Sequence, residues 1–148
     1  MRPLKGEPIG LQLVRTTRLV SRAFDEALAA AGGSLPVWLI LVSLKSGRHG
    51  TQRELAEAVG VEGPTLTHHL RRLERDGLVT RSRDPENLRV QRVELTDTGN
   101  ALFFELLGVV QAFDRRLRDG VPHAEVAVLE DLLGRLRHNV RAREAHQR

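Results

Sequence analysis

Between Pro64 and Arg75 the residues Pro-Thr-Leu-Thr-His-His-Leu-Arg-Arg-Leu-Glu-Arg alternate between two chemistries at helical spacing. On a wheel of about 100° per residue with Leu66 at zero, Leu70 falls near +40° and Leu73 near −20°. The three leucines form one narrow apolar stripe. Pro64, His68 and Arg75 fall within about 20° of the opposite pole and Arg71 about 40° from it, with Thr65, Thr67 and Arg72 on the flanks. Arginine binds a guanine edge through two parallel hydrogen bonds, and threonine touches a thymine methyl or a phosphate. A helix that turns threonine, histidine and arginine away from its apolar stripe has the chemistry of one that reads the major groove of DNA. His69 lies about 60° from the stripe and is expected to be a half-buried packing residue.

Positive charge continues past this helix. From Arg71 to Arg92 there are seven arginines against Glu74, Asp76, Asp84 and Glu86. Arg81, Arg83, Arg89 and Arg92 sit in a segment with hairpin texture, where they are expected to grip the phosphate backbone, one of them entering the minor groove from the tip. Thr51, Gln52 and Arg53, at the start of the preceding helix, complete the expected DNA-binding set. Only Lys5 and Lys45 are lysines. GC-rich codon usage is a second source of arginine, and the net charge is only +4, so placement carries more weight than total charge.

These side chains need elements to hold them. Residues 9–31 lack proline and carry Leu13, Val20, Phe24, Ala27, Leu28 and Ala31 roughly on one face, which predicts a helix ended by Gly32-Gly33. Ser34 caps a second helix running to about Lys45, apolar nearly all round and therefore a core element. Ser46-Gly47-Arg48-His49-Gly50 is a loop by composition. Thr51 and Glu54 have capping-box spacing for a short helix that ends near Val59-Gly60. The helix from Gly63 follows after a tight turn and stops at Asp76-Gly77.

Residues 78–83 and 90–95 read as strands, joined by Asp84-Pro85-Glu86-Asn87-Leu88-Arg89 with turn chemistry. Thr96 then caps a long helix, Asp119-Gly120-Val121-Pro122 breaks it, and a last helix carries Val126, Leu129, Leu132, Leu133, Leu136 and Val140. The expected fold is mainly α with a small β-hairpin wing: a winged helix-turn-helix over residues 35–95, flanked by long helices over 9–31 and 97–146, in a single domain of 148 residues.

Composition narrows the function classes. The 148 residues are 41% hydrophobic and 28% charged, enough for a real core, and contain no cysteine, so disulfides and thiolate metal sites are excluded. The segment MRPLKGEPIG lacks an apolar core of signal-peptide length. The longest nearly apolar run, Leu35 to Leu44, is about half of what spans a bilayer. A soluble cytoplasmic protein without a membrane partner is expected. No phosphate-binding glycine loop and no Gly-x-Ser-x-Gly elbow is present, so no enzymatic activity is expected. The adjacent His68 and His69 point to different helix faces, and no His-Glu-x-x-His pair exists; neither a metal nor a cofactor is expected.

The ordered series Thr51-Gln52-Arg53-Glu54-Leu55-Ala56, Gly63-Pro64-Thr65-Leu66-Thr67-His68-His69-Leu70-Arg71-Arg72-Leu73-Glu74, Gly77-Leu78-Val79 and Leu95-Thr96-Asp97-Thr98-Gly99 resembles the multiple-antibiotic-resistance regulator (MarR) family of bacterial transcription factors. The resemblance covers nearly the whole chain. It implies a homodimer whose first helix and last two helices form the interface, with two recognition helices about 34–36 Å apart, one DNA turn. It also implies a repressor that binds a pseudo-palindromic double-stranded site and releases it when a small, often phenolic, effector binds. By the same resemblance Arg15, Arg18 and Trp38 are the candidate effector residues; the other reading of them is that Trp38 is a core residue and Arg15 lies at the surface or between subunits. The family's wing commonly carries Asp-x-Arg; here Asn87-Leu88-Arg89 stands there. Arg89 is retained as the minor-groove arginine, and Asp84 or Glu86 is the candidate replacement for the missing acid. His68 stands where many members have arginine. Two other readings stay open: a winged-helix module that binds protein, and a metal-responsive regulator.

Overall fold

The computed structural model describes residues 6–47 and 51–145. The Arg48-His49-Gly50 part of the expected loop and residue 146 of the expected last segment lie outside the described residues. The order is α1 (Ile9–Ala30), α2 (Leu35–Lys45), α3 (Gln52–Val59), α4 (Gly63–Arg75), β1 (Val79–Arg83), β2 (Gln91–Leu95), α5 (Asp97–Leu117) and α6 (His123–Ala145). Two compact units divide the chain, one running to Gln111 and the other starting at Ala112. Among the described residues no single helix is long and apolar enough to cross a membrane.

In the first unit, local chemistry sets the helix ends. Ser34 accepts from the Val37 N–H to start α2, with proline in its first turn. Thr51 and Glu54 close a reciprocal capping box on α3. At the other end of α4, Leu78 N–H returns to the Leu73 carbonyl (2.8 Å) and Gly77 N–H to that of Glu74 (3.0 Å). This Schellman pairing needs a left-handed residue after the cap, and Gly77 supplies it at φ 71°. The chain then enters an antiparallel hairpin in which Val79 pairs with Leu95 and Arg83 with Gln91. Thr51 adds an antiparallel bridge to Arg92, tying the start of α3 to the wing.

Two apolar clusters hold these elements. Ile40, Leu55, Leu66, Leu70, Leu73, Val79 and Val93 pack inside the winged helix-turn-helix. Leu28, Trp38, Leu41, Phe103 and Leu106 join α1, α2 and α5. Val37 and Leu95 pack against both, so the clusters are continuous through α2 and the end of the hairpin. The all-round apolar character of α2 follows from that position: it contributes Ile40 to one cluster and Trp38 and Leu41 to the other.

The start of α5 is tied to the exit from α4. Thr96 Oγ1 accepts from Gly99 N–H (3.0 Å) as an N-cap and donates to the Gly77 carbonyl (2.6 Å). Thr96 N–H bonds the Leu78 carbonyl (3.1 Å). Gly99 packs so closely on that carbonyl that a Cβ there would lie 2.0 Å from the oxygen.

The second unit holds the end of α5, the expected break and α6. Among its described residues none is fully buried, and Leu117, Val128, Leu129, Leu132 and Val140 are exposed.

Gly99→Ala forces the Leu78 backbone to move. It is expected to cost about 2–3 kcal/mol, read as a lower urea midpoint at unchanged slope. A midpoint equal to wild type would show that this junction yields freely.

Candidate nucleic-acid interface

Recognition-helix side chains are placed by one constraint. Leu66 and Leu70 are fully buried and Leu73 nearly so, which turns the opposite face of α4 outward. Pro64, Thr65, His68, Arg71, Arg72 and Arg75 are exposed there, while Thr67 and His69 are half-buried on the flanks. The His68 and His69 rings meet edge to face at 6.1 Å, and the two side chains sit on different faces of the helix. Among the described residues no three His, Asp or Glu groups come together in a way that could hold a metal ion.

The arginines divide into paired and unpaired groups. Arg81 is turned inward, its side chain only 18% exposed, and two of its nitrogens bond Glu74 Oε2. It ties β1 to the last turn of α4, which differs from the phosphate-gripping role that its place in the hairpin suggests. Arg92 likewise bonds Asp84, with Nε at 2.7 Å and Nη2 at 2.6 Å from Oδ2. Its guanidinium is half exposed but already neutralised. Arg72 and Arg75 make only loose contacts with Asp76, at 3.8 Å, and Arg53 a 3.4 Å contact with Glu57. Pairs this exposed are worth little and exchange readily for a phosphate. Among the described residues the side chains of Arg71, Arg83 and Arg89 have no acidic partner.

Asp84 is nearly buried within the wing. Its Oδ1 accepts from the Glu86 N–H (2.8 Å), and its backbone N–H bonds the Val90 carbonyl. The Glu86 N–H, and after it Arg92, hold its carboxyl below the ordinary aspartate value. The hydrogen bond from Arg81 does the same for Glu74. Asp84 is therefore not the acid that orients Arg89. Asn87 Oδ1 instead accepts from the Arg89 backbone N–H (3.2 Å), shaping the tip as an Asx turn and leaving the guanidinium outside. No contact of Glu86 with the Arg89 side chain is present among the described residues.

A groove of about 860 Å³ opens between α3, the turn into α4 and the wing. Thr51, Gln52 and Arg53 lie along one side and Arg89, Val90 and Gln91 along another, with Ala56 and Val61 in its wall. Gln52, one of its lining residues, has its Nε2 2.6 Å from Thr67 Oγ1. The sequence places these two residues on different helices and carries no signal that they meet. Nor does it show which acid each wing arginine takes, since Glu74–Arg81 and Asp84–Arg92 form only when the hairpin closes.

Residues 34–90 match the MarR family model. A MarR-family transcriptional regulator from Rhodococcus sp. RHA1 is 28% identical, with 84% of this chain and 89% of that one covered at a TM-score of 0.75. A mutant MarR from E. coli complexed with operator DNA is 28% identical over 87% of this chain and 93% of that one, at 0.78. CouR from Rhodococcus jostii RHA1, bound to p-coumaroyl-CoA, is 28% identical over 86% and 90%, at 0.74. The matched stretch contains the buried leucine stripe of α4 together with the first strand and the tip of the hairpin.

Arg15, Arg18 and Trp38 are not assembled into a site. The Trp38 ring is buried and stacks on Phe103 at 5.6 Å and 11°. Arg15 is exposed and pairs with Glu7, and Arg18 is exposed. The missed aromatic feature is next to Trp38: Lys45 Nζ bonds Asn100 Oδ1 (2.8 Å) and lies 5.1 Å from the ring centre of Phe104. Phe104 is itself exposed.

Both shifted carboxyls titrate lower folded than unfolded. Each adds stability that is complete at neutral pH and is lost as pH falls below about 4. Asp84→Asn should therefore unfold at lower urea than wild type at neutral pH, and the gap should narrow near pH ~3. A gap that stays constant would mean that ionisation of Asp84 contributes nothing.

Proposed function

We propose that this chain is a homodimeric, sequence-specific DNA-binding regulator that represses a nearby gene from a pseudo-palindromic site. The observation that carries the reading is the division of α4. Its three leucines are buried, and its histidine, threonine and arginine face lies outward, beside a wing whose Arg83 and Arg89 have no acid among the described residues. Cations left unpaired on one surface favour a polyanion, because each phosphate they neutralise releases counterions. The operator complex of the E. coli MarR mutant supports the same assignment. In this reading Pro64, Thr65, His68, Arg71, Arg72 and Arg75 face the major groove and its phosphates. Arg89 enters the minor groove, and Arg53 and Arg83 contact the backbone.

The dimer is supported by the apolar surface that a single chain leaves open. α6 is a 23-residue helix with Val128, Leu129, Leu132 and Val140 all exposed, and α1 exposes Ile9, Leu11, Val14 and Leu19. Exposed apolar side chains along one helix mark an interaction site, and a second copy supplies two recognition helices for a two-fold site. Light scattering is expected to give twice the chain's mass. Leu132→Glu should shift the population toward monomer and weaken operator binding, and a monomeric wild type would remove the dimer.

An aromatic acid is the effector chemistry that the structure favours. Lys45 offers a cation beside the exposed Phe104 ring, where a carboxylate and an aromatic plane can be held together. CouR, bound to p-coumaroyl-CoA, shows one relative with a thioester of an aromatic acid.

Fluorescence anisotropy against duplexes from the protein's own upstream region tests the DNA reading. Wild type should prefer one duplex over scrambled DNA. Arg89→Ala should lower affinity about tenfold and flatten the salt slope by about one, with the dimer intact. Arg81→Ala should lower the melting temperature more than Arg89→Ala does. Equal affinity for specific and scrambled duplexes would overturn sequence-specific binding.

A further inference from the structure

Thr67 has a single hydroxyl proton, and the fold commits it. Its Oγ1 lies 2.9 Å from the Gly63 carbonyl one turn back, an oxygen that only accepts. The same hydroxyl lies 2.6 Å from the Gln52 amide. With its proton on Gly63, Thr67 receives a hydrogen bond at that second contact. The Gln52 group beside it must then be the NH2 and not the carbonyl. The orientation of the amide thus follows from the chemistry of a backbone oxygen one residue removed from it.

Gln52 is the first residue of α3, half-buried, and it lines the groove together with Thr51, Arg53 and Arg89. One N–H and the carbonyl oxygen Oε1 remain to it. This pair, a donor beside an acceptor, is complementary to the major-groove edge of adenine, where N7 accepts and N6 donates. It does not match guanine, whose N7 and O6 both accept, nor a phosphate, which offers acceptors only. An unrestrained glutamine can turn both of its N–H groups toward the two acceptors of guanine. This one does so only by breaking its bond to Thr67. Thr67, the partner of Gln52, lies on the flank of α4 beside the exposed His68.

We infer that Gln52, held by Thr67, reads an adenine in the bound DNA and is a specificity-determining residue contributed by α3. Thr67 is its positioning residue, acting through the relay from Gly63. The inference rests on the DNA-binding reading above and adds to it a residue outside the recognition helix.

Selection of bound sequences from a random duplex library tests it, using the full chain and variants whose fold is checked by circular dichroism. Wild type should select adenine at one position in each half-site. In Gln52→Ala the preference for adenine over guanine there should fall about tenfold while other positions keep theirs. Gln52→Glu, an acceptor only, should move the preference toward cytosine, whose N4 donates. Thr67→Ser keeps the relay and should keep the preference; Thr67→Val removes it and should lose the preference. Replacing the selected adenine by 7-deazaadenine should weaken wild type several-fold and leave Gln52→Ala unchanged. Identical selections by wild type and Gln52→Ala would overturn the inference. So would an equal loss on all sequences at an unchanged salt slope, which would make Gln52 a neutral phosphate ligand. Failure of wild type to enrich any sequence would instead overturn the DNA-binding reading itself.

Discussion

Leu66, Leu70 and Leu73 leave α4 only one way to lie. All three point into a cluster with Ile40, Leu55, Val79 and Val93, and each buried leucine gains on the order of 2 kcal/mol relative to water. Rotating the helix by one residue would expose that stripe and bury Arg71 or Arg72 in its place, which costs more still. The outward display of polar groups is thus a by-product of apolar packing. Apolar packing alone fixes the rotation of α4, and with it which of its side chains face outward.

The junction after α4 extends this constraint to the rest of the first unit. Gly77 closes the helix, the Leu78 carbonyl receives Thr96, and Gly99 allows α5 to start directly against that carbonyl. Because Thr96 both caps α5 and bonds Gly77, a shift of α5 pulls on the end of the recognition helix. The junction thus couples the start of α5 directly to the end of α4.

In the wing, charge is divided by function. Arg81 and Arg92 each take a carboxylate, and those two pairs brace β1 against α4 and the loop against β2. Arg89 stands on a turn shaped by Asn87 and keeps its charge for a partner. The loss of an aspartate at position 87 therefore removes no ion pair that the wing depends on. The brace lies at Asp84, and the asparagine does for the backbone what its side-chain oxygen allows.

Much of this was legible before folding. The eight elements, their caps at Ser34, Thr51 and Thr96, the stop at Gly77, the outward set on α4 and the half-buried place of His69 all follow from local periodicity and capping, which involve residues at most four apart. Expectations failed where the partner is distant in sequence. Arg81 and Arg92 look like free cations because Glu74 and Asp84 lie seven and eight residues away and reach them only across a closed hairpin. Trp38 looks like a ligand residue until Phe103 stacks on it from α5. The bond between Gln52 and Thr67, fifteen residues apart, has no sequence signal at all. The sequence by itself determined which face of each helix is apolar, because a helix turns its residues at a constant angle. Only the tertiary structure decided which charges remain free, because that depends on which chains the apolar faces bring together.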